Sequence, residues 1–168
     1  GQLLDRHLAR VARKLDDLSG YIFKSKSPSC GMERVKLYDG HGGGSKQGVG
    51  LYAREIMHAH PLLPVEEEGR LGDPLLRDNF LERVFVYHRW QQLTAQRLTP
   101  KALVAFHTRH KLAIMAHGTE AYRALGRLVA AAGKRPIREL ADDYIAQLMP
   151  ALKQRATARR HTNVLMHV

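Results

Sequence analysis

The chain has 168 residues, 44% of them hydrophobic, and carries a formal net charge of +11. The length suits one medium domain or two small ones, and the apolar fraction excludes a wholly disordered chain. No apolar run approaches the roughly 20 residues that cross a membrane, and no secretory signal pattern is present. The single cysteine excludes an internal disulfide and indicates a reducing, cytoplasmic environment.

The charge is unevenly distributed along the chain. Residues 1–96 carry 14 Lys/Arg against 12 Asp/Glu, a net charge of +2, whereas residues 97–168 carry 13 against 4, a net charge of +9. A basic segment attached to a nearly neutral one indicates a module that binds a polyanion, with nucleic acid as the favoured ligand. The alternative is a basic surface that only aids solubility.

The first fifty residues read as part of an α/β domain. A helix is predicted first, because apolar residues recur three and four positions apart at Leu4, Leu8, Val11, Leu15 and Leu18. Residues 21–23 (YIF) then predict a buried strand, KSKSPSCG (24–31) a loop at its end, and residues 35–38 another strand. Ligands of open α/β sheets bind beyond the carboxyl ends of the strands, where this loop lies.

A domain junction is predicted next. The Gly-rich run of residues 39–50 lacks the spacing of a phosphate-binding P-loop and is interpreted as a flexible connection before a helix over 51–58. The segment PLLPVEEEGRLGDP has the prolines and glycines of a linker. The chain is therefore expected to divide into residues 1–72, an α/β remnant, and residues 73–168, an all-α helical domain.

Four helices are predicted after Pro74. Thr99 followed by Pro100 is typical of an N-cap and first helical position. The apolar stripes are Leu76, Phe80, Val84, Tyr87 and Trp90; Leu103, Phe106, His110, Ile114 and His117; Tyr122, Leu125 and Val129; and Ile137, Leu140, Tyr144, Leu148 and Leu152.

Two polar groups leave alternatives open. Glu66–Glu68 could supply a general acid or base, although a solvated junction that pairs with Arg70 or Arg77 is favoured. His107, His110 and His117 share a helix, with His161 and His167 farther on, and could hold a metal. No HExxH motif is present, so a polar network between helices, or phosphate contacts, is favoured over a metal site.

Four motifs in order resemble a known family. They are GYIFKSKSPSCGMERVKLYD, LPVEEEGRLGDPLLRDNFLERVF, FHTRHKLAIMAH and RRHTNVLMHV. Together they are similar to bacterial two-domain proteins that join a thiouracil desulfidase (TudS) domain to a YbgA-like domain of unknown function 1722.

The resemblance implies an iron-sulfur enzyme that removes sulfur from 4-thiouridine in tRNA and gives uridine and sulfide. It implies a 4Fe-4S cluster held by three cysteines, with a fourth iron open to bind the thiocarbonyl sulfur. The helical domain is implied to bind the tRNA, in agreement with its charge. The other readings are a non-catalytic module that binds structured RNA and a desulfidase of free thiouracil or thionucleotides.

Site residues follow from the resemblance. Cys30 matches the last of the three cluster cysteines, Ser29 is expected to contact the cluster, and Ser19 falls where a catalytic serine is expected. The residues expected to bind substrate or RNA are Lys24, Lys26, Arg109, Lys111, Arg123, Arg127, Arg159 and Arg160. The sequence starts without Met inside a helix pattern and stops inside an apolar pattern at NVLMHV, so we expect a fragment cut at both ends. Because only one of the three cysteines occurs here, the activity is expected of the parent protein.

Overall fold

The computed structural model describes residues 15–33, 35–38 and 44–156. The chain divides into two compact units, Gly1–Phe80 and Leu81–Val168, which are named the N-terminal unit and the helical unit. The predicted domain boundary at residues 72 and 73 stays a prediction. None of the helices in the described ranges is both long and apolar enough to cross a membrane.

The N-terminal unit contains two small sheets and one helix. Strand β1 (Tyr21–Phe23) pairs in parallel with β4 (Val65–Glu67), and β2 (Val35–Tyr38) pairs antiparallel with β3 (Gly44–Gly48). Helix α1 spans Leu51–Ala59. The predicted strands over 21–23 and 35–38 and the helix over 51–58 are confirmed, and the predicted N-terminal helix lies largely outside the described residues.

Two elements of this unit contradict the interpretation of the sequence as connecting segments. Residues 44–48 of the Gly-rich run form β3, and residues 65–67 of the presumed linker form β4. Neither segment has the apolar alternation of a typical strand, and each is ordered by its pairing with a more apolar strand. The α/β class predicted for this part of the chain is confirmed.

The core of the N-terminal unit lies between the parallel strands and α1. Phe23, Ala53 and Ile56 are buried there, and the half-buried side chains packed on them are Leu15, Tyr21, Met32, Tyr52, Met57 and Val65. Alternation along β1 directs Phe23 toward this core and leaves the neighbouring Ile22 51% exposed. The core therefore fixes β1, and with it the start of the segment that follows at residue 24.

Four helices follow, as predicted. Helix α2 spans Pro74–Ala95, α3 Pro100–His117, α4 Thr119–Ala130 and α5 Ile137–Lys153. The hydroxyl of Thr99 accepts a hydrogen bond from the amide of Ala102 at 3.1 Å, and Pro100 stands in the first turn, which confirms the predicted cap. Gly133, in the turn after α4, has a φ of +91°, a left-handed conformation that glycine adopts without strain.

An aromatic cluster forms the centre of the helical unit. Trp90 lies 5.2 Å from Phe106 edge to face and 5.7 Å from Tyr144 in a stacked arrangement, measured between ring centroids. Such pairs contribute about 0.5–1.5 kcal/mol beyond the burial of their area. The predicted stripe on α3 is confirmed, because Leu103, Phe106, His110, Ile114 and His117 are all buried.

His117 joins three helices of this unit. Its Nε2 lies 2.7 Å from the carboxylate of Glu82 on α2, and its Nδ1 contacts the carbonyl oxygen of Gln154 at the end of α5. Both partners accept hydrogen bonds, so the geometry requires N–H groups on both ring nitrogens, which is the imidazolium form. Burial alone would lower the pKa of His117, but the bonds to Glu82 and Gln154 raise it above its ordinary 6.5, against the nearby charge of Arg83.

His117 should therefore make the stability of the protein depend on pH. Because folding raises the pKa of His117, its full contribution to the free energy of unfolding is present below about pH 6.5. That contribution is lost as the pH rises through the pKa of His117 in the folded protein. We expect the difference in free energy of unfolding between wild type and His117→Gln to be largest in mildly acidic buffer and to shrink as the pH rises. Urea unfolding across that range measures it.

His107→Gln is the matched control on the same helix. Burial, together with the charges of His110 and Lys111, lowers the pKa of His107. The neutral ring therefore loses its contribution to stability as the pH falls below the pKa that His107 has in the unfolded chain. The difference in free energy of unfolding between wild type and His107→Gln should accordingly grow as the pH rises. If the losses in free energy of unfolding of the two variants changed with pH in the same direction, the assignment of His117 as the charged histidine would be wrong.

Candidate active site around Cys30

Residues 24–33, here called the Cys30 loop, follow the carboxyl end of β1 and are held by short internal hydrogen bonds. The amide of Gly31 donates to the carbonyl oxygen of Ser27 at 2.8 Å, and the amide of Cys30 donates to the Ser27 hydroxyl at 3.2 Å. The Ser29 hydroxyl lies 3.5 Å from the half-buried Cys30 thiol. The serines thus build the turn in which the thiol is placed.

Two carboxylates of the neighbouring segment hold the Cys30 loop from outside. Glu68 accepts hydrogen bonds from the amide and the hydroxyl of Ser25, at 2.5 and 2.9 Å, and lies 3.1 Å from the ammonium of Lys24. Glu67 accepts from the amides of Met32 and Glu33, at 2.6 and 3.2 Å. We name Glu67 and Glu68 the carboxylate clamp, because together they bind both ends of the loop.

The environment of these glutamates corrects the interpretation of a solvated acidic junction. Glu66 and Glu67 are 4% and 5% exposed. The predicted pairing with Arg70 is confirmed, since its Nε lies 2.8 Å from Glu66, whereas Arg77 lies beside Asp78 instead. The hydrogen bonds from Ser25, its amide first, and the charge of Lys24 lower the pKa of Glu68 to about 2. Glu68 therefore holds the loop as a carboxylate at neutral pH.

Helix α1 supports the Cys30 loop from another side. The carbonyl oxygen of Ser29 accepts hydrogen bonds from the amides of Tyr52 and Ala53, at 2.9 and 3.3 Å, in the first turn of α1, and the carbonyl of Gly31 accepts from the amide of Gly50 at 2.7 Å. The loop backbone thus satisfies donors that a helix N-terminus leaves free. Gly50 allows this approach, because a Cβ there would lie 2.4 Å from the carbonyl of Ser29.

Two tyrosine hydroxyls are paired in the N-terminal unit, and one of them is influenced by the charge of Cys30. The hydroxyls of Tyr21 and Tyr52 lie 3.2 Å apart. Burial, followed by the hydrogen bond and charge of Tyr21 and by the charge of Cys30, raises the pKa of Tyr52 to about 12. Tyr52 therefore stays protonated near neutral pH and is available as a hydrogen-bond donor in the electrostatic range of Cys30. The sequence analysis missed this pair, because the two residues come together only when α1 packs on β1.

The predicted site residues of the N-terminal unit fall into two groups. Ser29, Lys24 and Lys26 belong to the Cys30 loop together with Cys30 itself. Ser19 precedes β1, at the opposite end of the strand from the start of the loop. Its catalytic role, like the cluster contact of Ser29, stays a prediction.

Four of the predicted RNA-binding residues of the helical unit lie on its surface. Arg109 and Lys111 are exposed on α3, and Arg123 and Arg127 are exposed one turn apart on α4. None of the four forms a salt bridge with another described residue. Arg159 and Arg160 lie outside the described residues. Three of the four acidic residues of this charged half, Glu139, Asp142 and Asp143, lie on α5, so α3 and α4 present the more positive surface.

The histidines of α3 form a polar network. His107 Nδ1 lies 3.0 Å from the hydroxyl of Tyr144, and His110 Nδ1 donates to the carbonyl of Phe106 at 2.8 Å. Burial lowers the pKa of His110, which keeps it neutral. The network interpretation is confirmed for His107 and His117. Within the described ranges no three His, Cys, Asp or Glu side chains are grouped to hold a metal ion, and His161 and His167 lie outside those ranges.

Both parts of the chain are similar to known protein families. Residues 2–68 match the family described as 2-thiouracil desulfurase, and residues 111–168 match the family described as protein of unknown function DUF1722. The uncharacterized protein YbgA of Escherichia coli (strain K12) is 37% identical over 92 residues. Together these matches support a two-domain protein of the TudS–YbgA-like type.

The matches cover only part of this chain and part of its relative. The alignment with YbgA covers 54% of this chain and 54% of YbgA, so the chain spans about half the length of that relative. No solved structure matches the chain. The match of residues 2–68 ends on Glu68, so the desulfurase region includes the Cys30 loop and the whole carboxylate clamp. The region therefore belongs to a desulfurase-type family.

The residues present do not by themselves fit the cofactor that the resemblance implied. A 4Fe-4S cluster bound through three cysteines needs three thiolates, and this sequence contains one cysteine. The Cys30 loop places one half-buried thiol in a hydrogen-bonded turn, and it supplies one of the three thiolates. A cluster held by three cysteines would need two cysteines that this sequence does not contain.

Gly50→Ala should disturb the Cys30 loop through steric contact alone. The added methyl would meet the carbonyl carbon and oxygen of Ser29 at 2.4 Å and the amide nitrogen of Cys30 at 2.8 Å, all of them backbone atoms. We expect a loss of about 1–3 kcal/mol in the free energy of unfolding, in line with other overpacking substitutions. Denaturant unfolding measures the loss, and alkylation of Cys30 reports the change in the loop.

Gly126→Ala is the control. Gly126 lies within α4, and a Cβ there would meet no atom within 4 Å. Alanine is the better helix former by about 0.5–1 kcal/mol, so this variant should be more stable than wild type, with unchanged Cys30 alkylation. Equal stability of the two variants would show that Gly50 has no steric role.

Proposed function

We propose that the protein is an iron-sulfur-dependent desulfidase that removes sulfur from 4-thiouridine in tRNA, and that its helical unit binds the tRNA. The match of residues 2–68 to the desulfurase family is the observation that carries this proposal. Cys30 is the one cluster ligand that this sequence can supply, in a loop held by the carboxylate clamp. With tRNA as the substrate, the proposed place of action is the cytoplasm.

The overall chemistry is a hydrolysis. The carbon–sulfur double bond of the thiobase is replaced by a carbon–oxygen double bond, and water supplies the oxygen. The products are uridine and hydrogen sulfide, so no external oxidant or reductant is consumed. What the described residues contribute is position, because the clamp and α1 together fix the backbone on both sides of the thiol.

The surface of the helical unit supports an RNA ligand. Phosphate contacts by Lys and Arg provide most of the affinity of proteins for nucleic acids and make it dependent on salt. Arg109, Lys111, Arg123 and Arg127 are exposed cations without a carboxylate partner among the described residues. Such contacts position an RNA without reading its sequence, which suits recognition of the shape of tRNA.

Free 2-thiouracil is the second candidate substrate. The description of the matching family names this base, and none of the contacts in the Cys30 loop requires a polymer. In that case the helical unit serves a structural or protein-binding role.

A reaction assay tests the proposal and separates the two substrates. The complete gene product, reconstituted with iron and sulfide without oxygen, is incubated with tRNA that contains 4-thiouridine, and the near-ultraviolet absorbance of the thiobase is followed. We expect the absorbance to fall, and Cys30→Ser, which keeps the shape of the side chain but not a cluster ligand of equal strength, to abolish the fall. Consumption of free 2-thiouracil with the tRNA left intact would instead establish the second candidate.

The RNA-binding role of α4 has its own test in the salt dependence of binding. Arg123→Ala/Arg127→Ala removes two exposed charges and should reduce the slope of log affinity against log salt by about 2. Arg135→Ala is the control, because Arg135 lies 2.8 Å from Asp143 and contributes little free charge. Stability should change by no more than about 0.5 kcal/mol in either variant. Equal slopes for both variants and wild type would exclude α4 from the RNA contact.

A further inference from the structure

The two lysines of the Cys30 loop have different surroundings. The ammonium of Lys24 lies 3.1 Å from Glu68, which also binds the amide and hydroxyl of Ser25. Lys26 is exposed and forms no ion pair with any residue in the described part of the chain. The charge of Lys24 is thus balanced locally, whereas Lys26 has no such partner within residues 15–33, 35–38 and 44–156.

Lys26 also has an unusual backbone conformation. Its φ is +59°, and it is the one residue other than glycine with a positive φ among the described residues. Glycine adopts this region freely and asparagine adopts it more easily than lysine does, so a lysine here is a local strain. Observed strain of this kind clusters at functional sites, where the surrounding structure enforces it.

The contacts on either side of Lys26 show what enforces the strain. Ser25 is bound to Glu68 through its amide and hydroxyl, and its hydroxyl also accepts from the amide of Gly69 at 3.1 Å. Ser27 accepts from the amide of Cys30 through its hydroxyl. The backbone is therefore fixed immediately before and after position 26, and the ammonium is presented from a rigid turn four residues before the thiol.

We propose that Lys26 binds a backbone phosphate of tRNA beside the thiolated nucleotide, and that Lys24 is a structural residue that secures the Cys30 loop through Glu68. The inference rests on the proposed function, because it takes tRNA as the substrate. Of the two lysines in the loop, only Lys26 then contacts a phosphate. The competing explanation is that Lys26 only balances the negative charge of Glu66–Glu68 and acts on stability.

Glycine substitution separates these explanations. Lys26→Gly removes the charge and at the same time suits the backbone conformation, so it should unfold at the same or higher denaturant concentration than wild type. Its affinity for tRNA should fall, and the slope of log affinity against log salt should decrease by about 1, the value for one phosphate contact. Lys26→Arg keeps the charge and should keep the wild-type slope.

Lys24→Ala is the matched control in the same loop. It should leave the salt slope unchanged while amide hydrogen exchange of residues 25–33 becomes faster, because Glu68 loses one of its partners. Equilibrium binding to tRNA that contains 4-thiouridine, measured at several salt concentrations for all four proteins, gives the slopes, and urea unfolding gives the stabilities.

The outcomes distinguish failure of this inference from failure of the proposed function. Tight, salt-dependent binding by wild type with the same slope for Lys26→Gly overturns the role of Lys26 alone. A loss of stability in Lys26→Gly without a change of slope establishes the charge-balancing explanation. Absence of tRNA binding by wild type overturns the tRNA function and the phosphate contact with it.

Discussion

The hydrogen bonds between the buried carboxylate of Glu67 on β4 and two backbone amides of the Cys30 loop are a central constraint in the N-terminal unit. A carboxylate as buried as that of Glu67 is costly unless donors satisfy it, and the amides of Met32 and Glu33 are those donors. The dependence is mutual, because the loop has few apolar side chains and no core of its own. Strand β4 orders the loop, and the loop satisfies the charge that β4 brings into the interior.

This arrangement explains why the one thiol of the sequence lies in a segment, residues 24–31, that is rich in serine. A structural cysteine is normally placed by apolar packing, whereas Cys30 is placed by its backbone. The carbonyl of Ser29 meets the first turn of α1, the ends of the loop meet Glu67 and Glu68, and Gly50 provides the space for the approach. Polar residues in the loop are therefore the means of holding it, and they leave the thiol half-buried and reachable by a ligand.

The sequence predicted those features that depend on neighbours a few residues apart. The stripe on α3 and the cap at Thr99 are local patterns, so their burial and hydrogen bond were foreseeable. The partners of His117 were not, because Glu82 and Gln154 lie 35 and 37 residues away along the chain. The acidic run at 66–68 was misread for the same reason. As a sequence it is a charged segment between prolines, and only its parallel pairing with β1 buries two of its members. Cys30 itself was singled out by the motif SPSCG, while its support by Tyr52 and Gly50 required the fold.

Electrostatics connect the interior of the helical unit to its surface. Burial lowers the pKa of His107 and of His110, and the nearby charges of Lys111 and Arg109 act in the same direction, so the two rings add no further charge to an already basic unit. His117 is charged instead, because Glu82 compensates it inside the fold. The exposed cations Arg109, Lys111, Arg123 and Arg127 have no such compensation among the described residues, and their mutual repulsion opposes folding. A polyanion bound on that surface, such as the tRNA proposed above, would relieve the repulsion in the folded state more than in the unfolded chain, so its binding would be thermodynamically linked to the stability of the helical unit.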